Sequence, residues 1–287
     1  MKSKFVFIVV ILIVLIVILN NISIKENKVD FKPLELEIGD EFDELDYNNK
    51  MFVVNYEIED VTGDGTKDMI IVIGTKENVS DTIANNIDVV IYDTENKFFI
   101  KGNLKKCSLN TPKLFFNDMD ADGINEIILV GDNEDMTKTI RILTIKNNES
   151  KEIFKNKDNK GLAFTGAFLD GFKAHIVARK INFERNIEIN DKKENYITSG
   201  FYDESGRVTG NKNNITTSGF VSVEFVELND SCGLKTTQRI KGFDNLDILD
   251  QVEVIWKYEN GNWNIKEAKG EKLGNLLYWY YYYFLLY

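Results

Sequence analysis

The stretch DVTGDGTKD (residues 60–68) places three aspartates, two glycines and two threonines directly before the apolar run MIIVI. Two interpretations are open. Asp and Gly tolerate the backbone angles of a tight turn, so the stretch can be an ordinary connection between two strands. Oxygen-bearing residues at alternate positions around a glycine can instead curl around a metal ion. The choice between turn and ion site governs how the rest of the chain is interpreted.

The same pattern returns as DMDADGINE (residues 118–126), and 118 minus 60 gives an offset of 58 residues. An apolar run that ends in glycine follows each copy, MIIVIG in the first and IILVG in the second. A strand-like run precedes each copy, MFVVNYEIE in the first and PKLFFN in the second. A repeat of this length is in the range of propeller blades and other repeat arrays.

The spacing of the oxygen-bearing residues indicates a calcium site in each copy. Side chains at loop positions 1, 3, 5 and 9 and a main-chain carbonyl at position 7 follow the first part of an EF-hand loop. The bidentate glutamate of position 12 is absent, since Ile71 and Leu129 stand there. Hard oxygen ligands without nearby His or Cys favour calcium, and the second copy, with more carboxylates, is expected to bind more tightly. The predicted ligands are Asp60, Thr62, Asp64, Thr66 and Asp68, then Asp118, Asp120, Asp122, Ile124 and Glu126.

The motif D-x-[DT]-x-D-G-x-x-[DE] between strands resembles the FG-GAP or VCBS repeats of integrin-alpha-like propellers. It resembles in particular those of small membrane-anchored VCBS-repeat proteins of low-GC Gram-positive bacteria. Residues 51–131 carry the specific part of the resemblance, and the stretches 196–210 and 237–265 carry a looser part. Such loops bind calcium and brace the blades in that family. The resemblance therefore implies a calcium-stabilised domain over residues 51–274, with a structural rather than catalytic site.

Strand-like runs continue along the rest of the chain, and the 237 residues after position 50 (287 minus 50) correspond to about four repeats. The third unit, from residue 162 to about 220, contains Asp170-Gly171, but Gly166 and Ala174 stand where ligands would be. The last unit contains a hairpin around ENGN (259–262). The expected fold class is all-β, a propeller-like array of about four four-stranded units after an N-terminal transmembrane helix. A two-sheet β-sandwich is the alternative.

The N-terminus is typical of an export signal, because Lys2 and Lys4 precede an apolar run from Phe5 to Leu19. A small-x-small cleavage site is missing, which favours an uncleaved signal anchor over residues 1–24 rather than a cleaved peptide or a buried core helix. The positive-inside rule then places the rest of the chain outside the cytoplasm. Residues 25–50 are charged and are interpreted as a juxtamembrane linker.

The other end of the chain is an aromatic tail, residues 275–287, which contains LLYWYYYYFLLY. Three interpretations remain open: a buried closing strand, a segment at the membrane interface, where Tyr and Trp are favoured, or an accident of the reading frame. At 12 residues, the aromatic run of 276–287 is too short to span a bilayer as a helix.

Composition narrows the classes of function. A net charge of −11 argues against nucleic acid as a partner, because its binders need a basic surface. Cys107 and Cys232 lie outside any CxxC motif and can be a disulfide or two free thiols. The one histidine, His175, lies in a strand pattern, and G-x-S-x-G, phosphate-loop and dinucleotide-binding motifs are absent. No enzyme activity is therefore expected.

These observations predict a membrane-anchored, extracytoplasmic, calcium-binding β-repeat module with a binding or structural role at the cell envelope. Its expected partners are the cell membrane, through the N-terminal helix, and an envelope protein or polymer. The alternative is a hydrolase on a propeller-like scaffold that acts on envelope glycan or phosphoester, since the 46 acidic residues leave many candidate pairs.

Overall fold

The computed structural model describes residues 35–78, 81, 83–210, 215–271 and 281–282 of the chain. These residues are mostly β-strand, and every strand pairing among them is antiparallel. The predicted all-β class is thus confirmed. No helix in the described part of the chain is long and apolar enough to cross a bilayer, and the predicted anchor, residues 1–24, lies outside the described residues.

The first part of the chain forms two successive four-stranded meanders, as the repeat predicted. A short strand, β1 (Glu41–Phe42), pairs with the first of them. The first meander contains β2 (Met51–Glu59), β3 (Asp68–Thr75), β4 (Ile83–Asp93) and β5 (Phe98–Lys101). The second contains β6 (Leu109–Asn117), β7 (Glu126–Asp132), β8 (Lys138–Lys146) and β9 (Glu149–Phe154).

The middle of the chain differs from the four-stranded unit expected there. A 3-10 helix (Asn156–Lys160) leads into a separate three-stranded sheet of β10 (Thr165–Leu169), β11 (Lys173–Ala178) and β12 (Phe183–Glu188), with a second 3-10 helix (Arg179–Ile181) between the last two strands. A third 3-10 helix (Asn190–Lys192) and a short helix, α1 (Lys193–Thr198), follow. The buried rings of Tyr196, Phe201 and Tyr202 explain the departure, because they pack with Phe168 as an aromatic cluster in place of a fourth strand.

The last part is a meander of β13 (Thr216–Glu227), β14 (Cys232–Lys241), β15 (Ile248–Glu259) and β16 (Asn262–Glu271). The predicted hairpin joins β15 to β16, and its central residues Asn260 and Gly261 have φ of 54° and 78°, as a two-residue type I′ turn requires. From the aromatic tail, β17 (Tyr281–Tyr282) pairs with β16, where a closing strand would lie. The other tail residues lie outside the described part.

Fourteen strands form one continuous sheet path in the order β1-β2-β3-β4-β6-β7-β8-β13-β14-β15-β16-β17, with β5 on β4 and β9 on β8. The compact unit begins at Glu35, and Phe42 is buried against it. The folded part therefore includes residues 35–50 of the segment interpreted as a linker.

The continuous apolar run of β7 is buried on both faces because β7 and β8 lie between two hydrophobic cores. Ile127 and Leu129 of β7 pack into a core with the first meander, where Ile70 and Ile91 also lie. Ile128 faces the other way, into a larger core with the rings of the C-terminal part. Because successive side chains of a strand point to opposite faces, an unbroken apolar run is what a strand between two cores requires.

Candidate metal centre

The first loop joins β2 to β3 and is curled by its own carboxylates. Asp60 accepts hydrogen bonds from the main-chain N–H groups of Gly63 (2.8 Å) and Gly65 (3.0 Å). Asp64 accepts one from Thr66 N at 2.7 Å. Gly65 has φ of +87°, a conformation that glycine adopts without strain, so the curl requires glycine at this position.

Asp68, the last residue of the first loop, is hydrogen-bonded to the start of the same loop. It is the first residue of β3 and is fully buried, and its Oδ2 accepts hydrogen bonds from Val61 N (3.0 Å) and Thr62 N (3.1 Å). The Thr62 hydroxyl lies close enough to lower the pKa of Asp68 slightly. Neither Thr62 Oγ1 nor Asp68 Oδ1, however, has a hydrogen-bond partner of normal geometry, although both atoms are buried. Burial dominates and raises the pKa of Asp68 to about 6.

The second loop joins β6 to β7 and repeats this network. Asp118 accepts hydrogen bonds from Ala121 N (2.7 Å) and Gly123 N (2.9 Å), and Asp122 accepts one from Ile124 N (2.9 Å). Glu126, in the place of Asp68, accepts one from Met119 N at 2.6 Å. Gly123 has φ of +85°, close to the value at Gly65. The two loops therefore share one backbone conformation.

Three side chains of the second loop converge. Asp118, Asp120 and Glu126 each offer a carboxylate oxygen, and these oxygens all lie within 4.8 Å of one another. Asp120 Oδ1 is buried and has no hydrogen-bond partner. Burial of Glu126, and then the negative charges of Asp120 and Asp122, raise its pKa to about 7 against the hydrogen bond from Met119 N. These carboxylates repel one another, and one of their oxygens has no hydrogen-bond partner. A bound cation would stabilise this arrangement.

The residues predicted to offer main-chain carbonyls, Thr66 and Ile124, take equivalent places. Each donates its N–H to the aspartate two residues before it. All ten predicted ligand residues therefore lie in two loops of matching geometry. Asp60, Thr62, Asp64 and Asp68 share the first, and Asp118, Asp120, Asp122 and Glu126 share the second.

Sequence reasoning missed Lys146, the last residue of β8. Its Nζ lies 2.8 Å from Asp120 Oδ2 and 3.0 Å from Asp122 Oδ2. Hydrogen bonds to these two carboxylates raise the pKa of Lys146. The pKa of Asp122 is lowered, because the Ile124 N–H and Lys146 together outweigh the effect of its burial. No motif signals this contact, since Lys146 is a strand-end lysine of ordinary sequence context.

The two loops touch each other. The side chain of Ile124 packs on Gly63, so closely that a Cβ built at Gly63 would lie 2.3 Å from Ile124 Cδ1. Asn125 Nδ2 also donates to Glu59 Oε1 at 3.1 Å. The second loop has a further neighbour, because Cys232 N, at the start of β14, donates to the Asp118 carbonyl at 2.6 Å. The second loop thus lies at the junction of three meanders.

The other groups considered as functional candidates are the histidine, the two cysteines and an acidic cleft. His175 Nδ1 lies 2.9 Å from Asn186 Oδ1 on the neighbouring strand. Both cysteines are free, and burial raises the pKa of the Cys107 thiol to about 11. An open cleft of about 390 Å³ is lined in part by Glu77, Asp81 and Glu134. Among the residues that the structure describes, Asp118, Asp120 and Glu126 are nevertheless the one set of three potential ligand residues that converges.

Comparison with known proteins finds a similarity to a family model in the C-terminal part of the chain. A family model described as the YybI C-terminal domain matches residues 162–270, less than half of the chain. A search of curated proteins finds no match. Among solved structures, the crystal structure of rhamnogalacturonan lyase YesW aligns with 79% of this chain and 36% of the lyase chain, at 14% identity and a TM-score of 0.31. The aligned part is little more than a third of the lyase chain, and a likeness this weak carries no argument.

The predicted resemblance to FG-GAP or VCBS repeats is wrong. The family model that matches is the YybI C-terminal domain, and no FG-GAP or VCBS model matches the chain. The stretches 196–210 and 237–265, which carried the looser part of the resemblance, lie within the YybI-like segment. An Asp-rich loop between strands is a short motif that unrelated β-proteins can share, so the loops by themselves do not indicate the family.

Proposed function

We propose that this chain is a calcium-binding β-module in which one ion in each loop braces the connection between the first two strands of a meander. The observation that carries the proposal is a buried oxygen without a hydrogen-bond partner at the same position of each loop, Thr62 Oγ1 in the first and Asp120 Oδ1 in the second. The first loop has one more such oxygen, Asp68 Oδ1. Buried polar atoms are nearly always hydrogen-bonded, so oxygens left free in both copies of a repeated loop indicate a missing partner.

The donor set supports calcium among the possible cations. Carboxylate and hydroxyl oxygens are hard ligands, and the converging groups include neither a thiol nor an imidazole. Calcium accepts the irregular geometry of such loops, whereas Mg²⁺ demands near-ideal octahedral coordination. When bound, the ion would neutralise the carboxylates and allow Asp68 and Glu126 to stay ionised while buried.

The location and role of the module are part of the proposal. The lysines and apolar run of residues 1–24 favour a single-pass anchor with the β-module outside the cytoplasm, where calcium near millimolar concentration fills even weak sites. A structural or binding role toward an envelope protein or polymer is proposed rather than catalysis, since the converging acids of the described residues belong to the second loop.

A partial propeller-like arrangement of the meanders is the finer part of the proposal. Two contacts between first strands support it. Asn55 Nδ2 of β2 donates to the Pro112 carbonyl of β6 at 3.1 Å. The rings of Phe115 in β6 and Phe225 in β13 lie 5.2 Å apart. The first strands of successive meanders are therefore neighbours, as the inner strands of blades are.

The test is thermal unfolding of the full-length protein in detergent, in excess calcium and then in EGTA. At a calcium concentration of 100 times Kd, each occupied loop adds roughly 2.7 kcal/mol to the free energy of unfolding, which corresponds to a rise in Tm of about 5–10 °C per ion for a domain of this size. The Asp64→Ala/Asp122→Ala protein should lose this rise.

The matched control is Asp170→Ala. Asp170 precedes a glycine in the turn between β10 and β11, and it caps Val208 N at 3.0 Å in a loop without further ligands. This variant should lower Tm equally with and without calcium. If the Tm of the wild-type protein does not respond to millimolar calcium, both loops are ordinary turns and the proposal fails.

A further inference from the structure

We propose that the positively charged side chain of Lys146, ion-paired to the second loop, weakens cation binding by that loop. Calcium then fills the first loop before the second. This inference rests on the proposed function, because it concerns the affinities of the same two loops. It reverses the order expected from counting carboxylates alone.

The two loops differ in charge at two positions. At position 8 the first loop has Lys67 and the second has Asn125, and the other difference is in the carboxylates. The first loop carries Asp60, Asp64 and Asp68, and the second carries Asp118, Asp120, Asp122 and Glu126. The additional carboxylate is Asp120, which stands where the first loop has Thr62. Lys146 contacts this same aspartate at 2.8 Å, and Asp122 at 3.0 Å. The charges of Asp120 and Lys146 therefore cancel, so the pair is neutral, as the Thr62 hydroxyl is.

The geometry of Lys146 leaves room for an ion but places a positive charge next to it. Lys146 uses the Oδ2 atoms of Asp120 and Asp122, while Asp120 Oδ1 stays buried without a partner. An ion bound to Asp120 Oδ1 would lie roughly 4–5 Å from Nζ, given usual calcium–oxygen distances. Even with the dielectric constant of bulk water, unit and double charges at that separation repel enough to weaken binding roughly 15- to 30-fold before salt screening.

The first loop lacks such a lysine. Lys67, which lies within it, directs its Nζ to Glu59 Oε2 at 3.4 Å, and Glu59 is not a predicted ligand. In the described ranges of the chain, no lysine or arginine forms an ion pair with Asp60, Asp64 or Asp68. Among the described residues, an ion pair from a lysine to a predicted ligand residue is therefore a feature of the second loop and not of the first.

The test is calcium titration by calorimetry of the full-length protein in detergent, with one loop disabled at a time. Asp64→Ala disables the first loop and leaves the second to be measured, and Asp122→Ala does the reverse. The second loop is expected to bind more weakly than the first. Adding Lys146→Met to the Asp64→Ala protein should tighten calcium binding about tenfold or more.

Two matched variants separate charge from shape. Lys146→Arg keeps the positive charge and should leave the affinity within about threefold of that of the Asp64→Ala protein. Lys138→Met removes an ion-paired lysine from the opposite end of the same strand, where the partner is Asp132, and should leave the affinity unchanged. Melting curves in EGTA establish that each variant is folded.

The outcomes distinguish the two proposals. If neither the Asp64→Ala protein nor its Lys146→Met derivative binds calcium, and wild type does not bind either, the proposed function fails. If calcium binds but Lys146→Met leaves the affinity unchanged, only the role of Lys146 is overturned. A weaker affinity in Lys146→Met would show that Lys146 positions Asp120 for the ion. That result would also overturn the proposal that Lys146 opposes calcium binding.

Discussion

The two loops share a backbone conformation but not their surroundings. The first loop packs against the second through Gly63 and Ile124. The second loop has two additional contacts, with Lys146 at one side and with Cys232 of the C-terminal meander at the other. A repeated motif therefore does not imply two equivalent sites.

The largest expected effect comes from the buried acid that closes each loop. In EGTA, Asp68→Ala leaves both Val61 N and Thr62 N without their acceptor and should cost roughly 2–4 kcal/mol. Glu126→Ala leaves one main-chain N–H, that of Met119, without its acceptor and also removes the contact with the Thr144 hydroxyl. Because it relieves the repulsion with Asp120 and Asp122, it should cost about 1–2 kcal/mol. Urea unfolding measures both free energies.

Asp68→Asn is the control, because it keeps an acceptor oxygen and removes the charge. It should recover part of the stability lost in Asp68→Ala but none of the calcium response of the first loop. Equal losses in the two alanine variants would show that the number of capped N–H groups does not distinguish the loops.

The second prediction concerns pH. The pKa values of Asp68 and Glu126 are raised, to about 6 and about 7. A carboxyl with a raised pKa binds its proton more strongly in the folded state, so without calcium its contribution to stability is lost as pH rises through the folded pKa. Calcium needs the ionised form, so its effect on Tm should grow over the same range.

The comparison is between pH 6 and pH 8 in the single-loop proteins. The rise in Tm with calcium should shrink at pH 6 by several degrees in Asp64→Ala, which keeps the second loop, and by less in Asp122→Ala, which keeps the first. Measurements at constant ionic strength remove the effect of salt screening. An identical pH profile in both proteins would mean that Glu126 and Asp68 titrate alike.

The smallest expected effect is at Cys232, whose N–H donates to the Asp118 carbonyl. Loss of calcium from the second loop should loosen this contact and raise the alkylation rate of the half-buried Cys232 about two- to threefold. Peptide mass spectrometry can follow each thiol, with the buried Cys107 as internal control. The change should persist in Asp64→Ala and vanish in Asp122→Ala. A change that depends on the first loop would contradict the contact.

Local features of this fold could be predicted from the sequence, and contacts between distant segments could not. The 58-residue offset predicted both loops, and apolar runs predicted strands at β2, β3, β6 and β7 to within a few residues. The hairpin at Asn260-Gly261 followed from turn chemistry. Calcium binding by these loops stays a prediction.

The features that could not be predicted from the sequence depend on tertiary structure. Lys146 reaches the second loop only because β8 lies antiparallel to β7, so that its last residue returns to the start of β7. α1 is six residues long, too short to show a helical period, and it is held by packing of Tyr196 rather than by propensity. The resemblance assigned from two loops and their flanking strands (51–131) was wrong, because a short repeated motif carries less information than the 109 residues (162–270) of a family model.

The position of β7 and β8 between two cores has a consequence for where this protein can be divided. The larger core contains Phe168, Phe220 and Trp256 from the YybI-like segment, but also Ile128, Ile140 and Phe154, which precede residue 162. Gln238 Nε2 of β14 donates a hydrogen bond to the Lys160 carbonyl at 3.2 Å across the same boundary. A limit drawn by sequence similarity at residue 162 therefore passes through a hydrophobic core. Segment 162–270 produced alone would expose one wall of that core, so we expect it to be less stable than a segment that also contains the second meander.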